Sequence, residues 1–249
     1  MSTSYNYKDF RIEILYEDNE IAILNKPSGL LTHKKNEFDN SPSLQESLKH
    51  QFKVDDGENL KEGIVHRLDK DTSGVIIITK NLISKNKFRD MFKNRNIKKN
   101  YLAFTYGILD QSNIEIDRKI FRSKVQRTKF SVSDNLGKNA ITKVSNIMTF
   151  HGSISLLNSE IITGRTHQIR VHLLSLGLPI IGDKDYSLNK EQKFRMINMT
   201  DSLRKYLSLF PRQALHSYKI EFDHPILEKH IKITCDLPDD MKDLNKILQ

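Results

Sequence analysis

Gly63-Ile64-Val65-His66-Arg67-Leu68-Asp69-Lys70-Asp71-Thr72-Ser73-Gly74, running directly into Val75-Ile76-Ile77-Ile78, decides how this chain is read. The β-branched run bounded by glycine predicts a buried strand. Just ahead of it stand a His, an Arg, a Lys and two Asp, a density of charge that an apolar core does not accept without a purpose. Asp71-Thr72-Ser73-Gly74 has the chemistry of a tight turn, because Asp, Thr and Ser bond their own backbone and Gly accepts positive φ. Asp69 is therefore expected on a loop beside a rigid strand, where reactive groups are held. On the residues alone a second reading stands equally, with Arg67 and Asp69 as a structural ion pair and Asp71 as a turn cap.

The rest of the composition sets bounds on partners. Of 249 residues, 37% are hydrophobic and 29% charged, which describes an ordinary globular chain rather than a disordered one. Forty Lys and Arg against 31 Asp and Glu leave a formal charge of +9, pointing to a polyanionic partner. One cysteine, Cys235, excludes an intramolecular disulfide and a Cys-rich zinc site and fits a reducing cytoplasm. No apolar run approaches the roughly 20 residues of a membrane span. Residues 1–10 have neither an apolar core nor an Arg, so they are expected to form a loosely held tail and not a leader.

Outward from the central motif, residues 11–16 and 20–24 read as two strands joined at Glu17-Asp18-Asn19. Pro42, with Ser43 and Glu46 at capping-box spacing, predicts a helix over about 42–53. The polar stretch 55–59 is expected as a loop. Asn81 is a candidate cap for a helix over 82–95, with Ile83, Met91 and Phe92 inward and Lys85, Arg89 and Lys93 along one outer side. Runs at 101–107, 140–150 and 153–161 are strand-like. Arg122, Lys124, Arg127 and Lys129 fall in one exposed-looking stretch between them, either a phosphate grip or a solubilising hairpin. Thr166 is the expected N-cap of a helix to Leu176, ended by Gly177 and Pro179. Helices are expected at 189–208 and 239–248, with strands at 214–222 and 231–235. Strands and helices without regular alternation suggest an α+β fold on a mixed or mostly antiparallel sheet. Without repeats or a linker, residues 11–249 are expected as one domain and the protein as a monomer.

His66-Arg67-Leu68-Asp69-Lys70-Asp71-Thr72-Ser73-Gly74 resembles the signature of the RluA-type RNA pseudouridine synthases. Four further stretches match the same family in order: Asn25-Lys26-Pro27-Ser28-Gly29-Leu30, Lys99-Asn100-Tyr101-Leu102-Ala103, Thr163-Gly164-Arg165-Thr166-His167-Gln168-Ile169-Arg170-Val171-His172-Leu173, and Gln213-Ala214-Leu215-His216 with Phe222-Asp223-His224-Pro225. The likeness spans about residues 12–238 and is to the short form, lacking an N-terminal S4-like RNA-binding domain. It implies a large bent sheet flanked by helices, with an RNA-binding cleft across its middle.

The resemblance also implies roles. Asp69 is the expected catalytic carboxylate, acting at the ribose as nucleophile or as proton acceptor. Arg170 is its expected cationic partner, since an Arg can offer two parallel bonds to a carboxylate. Arg67 takes part in displacing the flipped nucleotide, Tyr101 places an aromatic face against the uracil, and Leu215 lines the same pocket. Arg165 joins Arg122, Lys124, Arg127 and Lys129 among the expected RNA contacts. Breaking and remaking one glycosidic bond requires no redox or phosphate energy, so no cofactor and no metal are expected. The middle segment, Lys129-Phe130-Ser131-Val132 and residues 137–142, looks more like the ribosomal members, which makes large-subunit rRNA the expected substrate and tRNA the alternative. Two other classes compete: an inactive RNA binder, against which the intact Asp69, Tyr101 and Arg170 argue, and a magnesium enzyme using Asp183 and Asp185, a pair read as part of a turn. His66, His167, His172 and His216 are read as structural hydrogen-bonding residues.

Overall fold

The computed structural model describes residues 3–34, 36, 38–52, 63–123, 126, 128–187 and 199–249, with the backbone alone at His50. The expected loop at 55–59, Lys124, Arg127 and the first half of the expected helix at 189–208 lie outside the described residues. The chain divides into two compact units, residues 1–99 with 217–236 and residues 100–216 with 237–249.

In the first unit, β1 (Thr3–Tyr7), β2 (Phe10–Glu17), β3 (Ile21–Lys26), β4 (Ser73–Thr79) and β11 (Leu215–Asp223) are neighbours in that order, and β12 (His230–Thr234) pairs with β11. β4 is the strand announced by the opening motif and is buried along its whole length. Its continuous apolar run is what a strand covered on both faces requires. On one face Val75 and Ile77 join Ile21 and Ile23 of β3 in a core with Ile220 and Phe222, covered by Phe88 and Met91 of α2 (Leu82–Lys93). α1 (Leu44–Gln51) begins as its capping box demands, with Ser43 Oγ accepting the Glu46 N–H.

Two expectations fail here for physical reasons. Residues 3–7 are not a loose tail: they pair antiparallel with β2, from Thr3 opposite Ile14 to Tyr7 opposite Phe10. The Tyr7 hydroxyl donates to Glu46, and the Tyr5 ring meets Phe52 edge-on at 6.1 Å, so two aromatic anchors hold an otherwise polar segment. The inward side of α2 is also rotated from the one expected. Phe88 sets the phase, with Ser84 and Met91 one turn away on either side, which leaves Ile83 69% exposed and turns Lys85 into the interior. The outer cations of the helix are thus Lys87, Arg89 and Lys93.

In the second unit, β5 (Lys98–Tyr106), β10 (Ile154–Ile161), β9 (Ile141–Phe150) and β6 (Asn113–Asp117) form an antiparallel sheet in that order, and β7 (Lys119–Arg122) pairs with β8 (Phe130–Ser133). α3 (Gln168–Ser175), α4 (Asp201–Ser208) and α5 (Asp239–Leu248) complete it. Both units alternate strand pairs and helices irregularly, and the fold is α+β. Among the described residues no helix is long and apolar enough to cross a membrane.

Gly74 sits where the central loop enters β4, at φ +110°, and a β-carbon there would lie 2.2 Å from the Ser217 carbonyl oxygen. Gly74→Ala is expected to lower unfolding free energy by about 2–4 kcal/mol in urea titration, since neither backbone gives way cheaply. A loss below about 1 kcal/mol contradicts that packing.

Candidate active site

The loop carrying Asp69 is anchored by a buried cation. Lys26, at the end of β3, is 0% exposed, and its Nζ donates to the carbonyls of Pro27 at 2.9 Å, Leu30 at 2.8 Å and Lys70 at 3.0 Å. An interior ammonium without partners costs several kcal/mol; these carbonyls replace its water. The Lys70 carbonyl also accepts the Gly29 N–H at 3.0 Å. On the other side of Asp69, the Thr32 hydroxyl donates to the Leu68 carbonyl at 2.7 Å and accepts the Leu68 N–H at 3.2 Å. The Thr72 N–H closes a turn onto the Asp69 carbonyl at 3.1 Å. Both neighbours of Asp69 are therefore tied to residues 26–32, and the half-buried carboxylate of residue 69 is presented from a fixed backbone. Arg67, two residues earlier, is exposed.

His66 supplies a further tie. Its Nε2 accepts the Ile77 N–H of β4 at 2.8 Å, so that nitrogen carries no proton. The ring packs on Phe92 at 4.6 Å, and Phe92 also receives the Lys99 ammonium 5.4 Å from its centroid. Although the residue keeps some exposed surface, burial of the ring, reinforced by the Lys99 and His33 charges, pushes its pKa down to about 3. His66 is thus a neutral acceptor standing in for a strand partner.

The second unit holds the other expected site residues. Tyr101 is nearly buried in β5, opposite Ser159 of β10. Leu215 is buried, and its carbonyl accepts from Arg212 Nη1 at 3.3 Å. Arg170, on α3, is held by a buried acid: Nε donates to Asp183 Oδ2 at 2.7 Å and Nη2 to Asp183 Oδ1 at 2.8 Å, with side-chain exposures of 6% and 0%. Asp185 takes a third bond from Nη2 at 3.0 Å. Asp183 is aimed by its turn, where its Oδ1 also accepts the N–H groups of Asp185 and Tyr186, each at 3.0 Å. The turn needs Gly182 at φ +76°, because a β-carbon there would meet the Arg212 carbonyl oxygen at 2.0 Å. The described residues contain no group of three or more His, Cys, Asp or Glu that could hold a metal.

α3 starts later than expected. Its N-cap is His167, in the left-handed region at φ 57° with no side-chain cap bond, and not Thr166. Gln168 takes over the local bonding instead, its Oε1 accepting from the Thr163 hydroxyl and the Arg165 N–H and its Nε2 donating to the Ile141 carbonyl. Arg165 Nε donates to the Asn139 carbonyl at 2.9 Å, which ties that side chain to backbone. His172 bridges Thr142 and the Arg118 carbonyl, and burial lowers its pKa. Of the cationic stretch, Arg122 is exposed at the end of β7 and Lys129 half-buried just before β8.

Residues 20–175 match the family described as RNA pseudouridylate synthase. The chain belongs to that family. Within it the chain is of the RluA type, as its relatives show: it is 37% identical over 237 residues to the ribosomal large subunit pseudouridine synthase D of Buchnera aphidicola subsp. Acyrthosiphon pisum, covering 94% of this chain and 72% of that one. The enzyme of the same description from Pseudomonas aeruginosa is 35% identical over 244 residues, covering 97% and 73%. The structure of human RNA pseudouridylate synthase domain containing 4 superposes with a TM-score of 0.70 at 25% identity, covering 94% of this chain and 92% of that chain.

Lys26 and Thr32 received no role from the sequence, and Asp183 received only that of a turn residue, which it fills while also gripping Arg170. Lys26 ends an apolar strand and precedes a proline, a hint of burial, but its carbonyl partner at Lys70 lies 44 residues on. The His66 tie predicts a pH effect. With the folded pKa near 3 against about 6.5 unfolded, its contribution to stability is complete above pH 6.5 and is lost progressively as pH falls toward 3. Between pH 7 and pH 5 this amounts to about 1–2 kcal/mol. Urea denaturation of wild type and His66→Gln at both pH values isolates it, because the Gln variant loses that part of the pH dependence; equal slopes contradict the assignment.

Proposed function

We propose that this pseudouridine synthase isomerises one or a few uridines of large-subunit ribosomal RNA, with Asp69 as the catalytic carboxylate. The observation that carries the assignment of Asp69 is the bracketing of that one residue by the Lys26 and Thr32 bonds, a rigidity that a reacting group needs and a turn cap does not. The naming of its relatives in Buchnera, Nitrosomonas and Pseudomonas as large-subunit enzymes supports the substrate.

In this reading the target uridine leaves its stack, at a cost of a few kcal/mol, and Arg67 takes part in the displacement. The carboxylate of Asp69 acts at the ribose as the bond from C1′ to the uracil nitrogen breaks. The base turns within the site and rejoins through C5, which gives up its proton while the freed nitrogen gains one, so no atom is gained overall and no electron carrier is required. Tyr101 offers its ring to the uracil, Leu215 contributes apolar lining, and the Arg170 guanidinium stabilises negative charge. Arg122 and Lys129, with Lys124, Arg127 and Arg165, contact phosphates. Cys235, the single cysteine, suits work in the cytoplasm.

Asp69→Asn is expected to slow conversion of a large-subunit rRNA transcript at least about 100-fold, with RNA affinity changed less than about threefold because phosphate contacts dominate binding. Conversion that survives the substitution, or that occurs only in tRNA transcripts, contradicts the catalytic assignment or the substrate respectively. The double substitution Arg122→Ala with Lys129→Ala should instead weaken binding and flatten its log–log salt dependence by about 0.7–0.9 per lost contact. An unchanged salt slope in a filter-binding titration removes these residues from the RNA contacts.

A further inference from the structure

Tyr186 touches Arg170, Asp183, His167 and Phe130 in the second unit, though no role has been given to it. Its ring lies under the Arg170 guanidinium, 4.8 Å from Cζ to the centroid. Its N–H donates to the carboxylate of Asp183, the same group that grips Arg170. Its hydroxyl accepts the Phe130 N–H at 2.7 Å and lies 2.8 Å from His167 Nδ1. Burial raises the phenol to about 12, so the hydroxyl keeps its proton and has one hydrogen to give. With Phe130 already donating to the oxygen, the His167 tautomer that leaves Nδ1 unprotonated lets the phenol donate its hydrogen there.

Phe130 opens β8 and stands opposite Arg122 of β7 in register. The Lys129 carbonyl accepts the Ser123 N–H at 2.9 Å, closing the loop at the same end of the hairpin. Phe130 and Tyr186 both meet the His167 ring edge-on, at 5.5 and 5.4 Å. Arg122 and Lys129 are thus linked through one backbone N–H, that of Phe130, to a phenol stacked on Arg170. An Arg engaged in its plane by Asp183 and on its face by Tyr186 has little freedom left to it.

We propose that Tyr186, together with Asp183, is a positioning residue that fixes the Arg170 guanidinium and couples it to the cationic β7–β8 hairpin. The catalytic part of this proposal rests on the function argued above, and the experiment has two arms so that the two fail separately. In the first arm, side-chain NMR follows solvent exchange of the Arg170 Nε–H in the full chain without RNA. Asp183→Asn, which keeps the size and removes the charge, should accelerate exchange at least about tenfold; unchanged exchange overturns the positioning, whatever the substrate.

In the second arm, single-turnover conversion of an unmodified large-subunit rRNA transcript is measured at saturating enzyme, with affinity measured separately. Tyr186→Phe retains the ring and deletes the hydroxyl. Its rate should fall about 10–100-fold, while affinity stays within about twofold, a split that general misfolding would not produce. Arg122→Ala should lower both affinity and rate in the wild-type background but affinity alone in the Tyr186→Phe background. Independent rate effects of the two substitutions overturn the coupling. A transcript that wild type leaves unconverted overturns the substrate reading, and the exchange arm still decides the positioning.

Discussion

The first unit depends on how the Lys26 ammonium is solvated. A buried cation must be surrounded by dipoles or lose its charge, and the Lys26 ammonium is met by the carbonyls of its own following loop and of Lys70. Satisfying the charge therefore draws together two loops that are distant in sequence, one leaving β3 and one entering β4. Thr32 repeats the closure at Leu68. The residue between the two closures is Asp69. A structural requirement of a buried amine thus fixes the backbone that carries the carboxylate proposed as the catalyst.

The second unit meets a similar requirement by other means. Buried ion pairs gain little net stability from mutual attraction, because desolvation offsets it. The Arg170–Asp183 pair is consequently better understood as geometry than as adhesive. A guanidinium offers a planar fork that a carboxylate grips in two places, and a lysine in its place would keep the charge but not the direction. His167 in a left-handed conformation is held at the head of the same helix by its neighbours, the kind of local strain that persists where surroundings over-determine it.

What could be read from the sequence was what is local. The strand at 73–79, the caps at Ser43 and Asn81 and the terminal helix follow from nearest neighbours, and all are present. The outer strand at 3–7 was not legible, because Tyr5 and Tyr7 hold it only through Phe52, Glu46 and a partner strand, none of which is a nearest neighbour. The rotation of α2 was missed because Ile83 is as apolar as its neighbours, and only the sheet beneath selects Phe88. At the site, Asp69 stood out as charge beside a buried strand, and the proposal that it is a catalyst and not half of an ion pair rests on the ordered motifs. The tie from Lys26 to Lys70, 44 residues on, and the grip of Asp183 on Arg170 were out of reach, since both depend on tertiary packing and not on nearest neighbours.

The most direct measurement is transcriptome-wide pseudouridine mapping in cells that lack this gene, complemented with wild type or with Asp69→Ala. One or a few uridines of large-subunit rRNA should lose the modification and regain it with wild type alone. An unchanged map, or restoration by Asp69→Ala, would contradict the assignment of Asp69 as the carboxylate that makes this RNA modification.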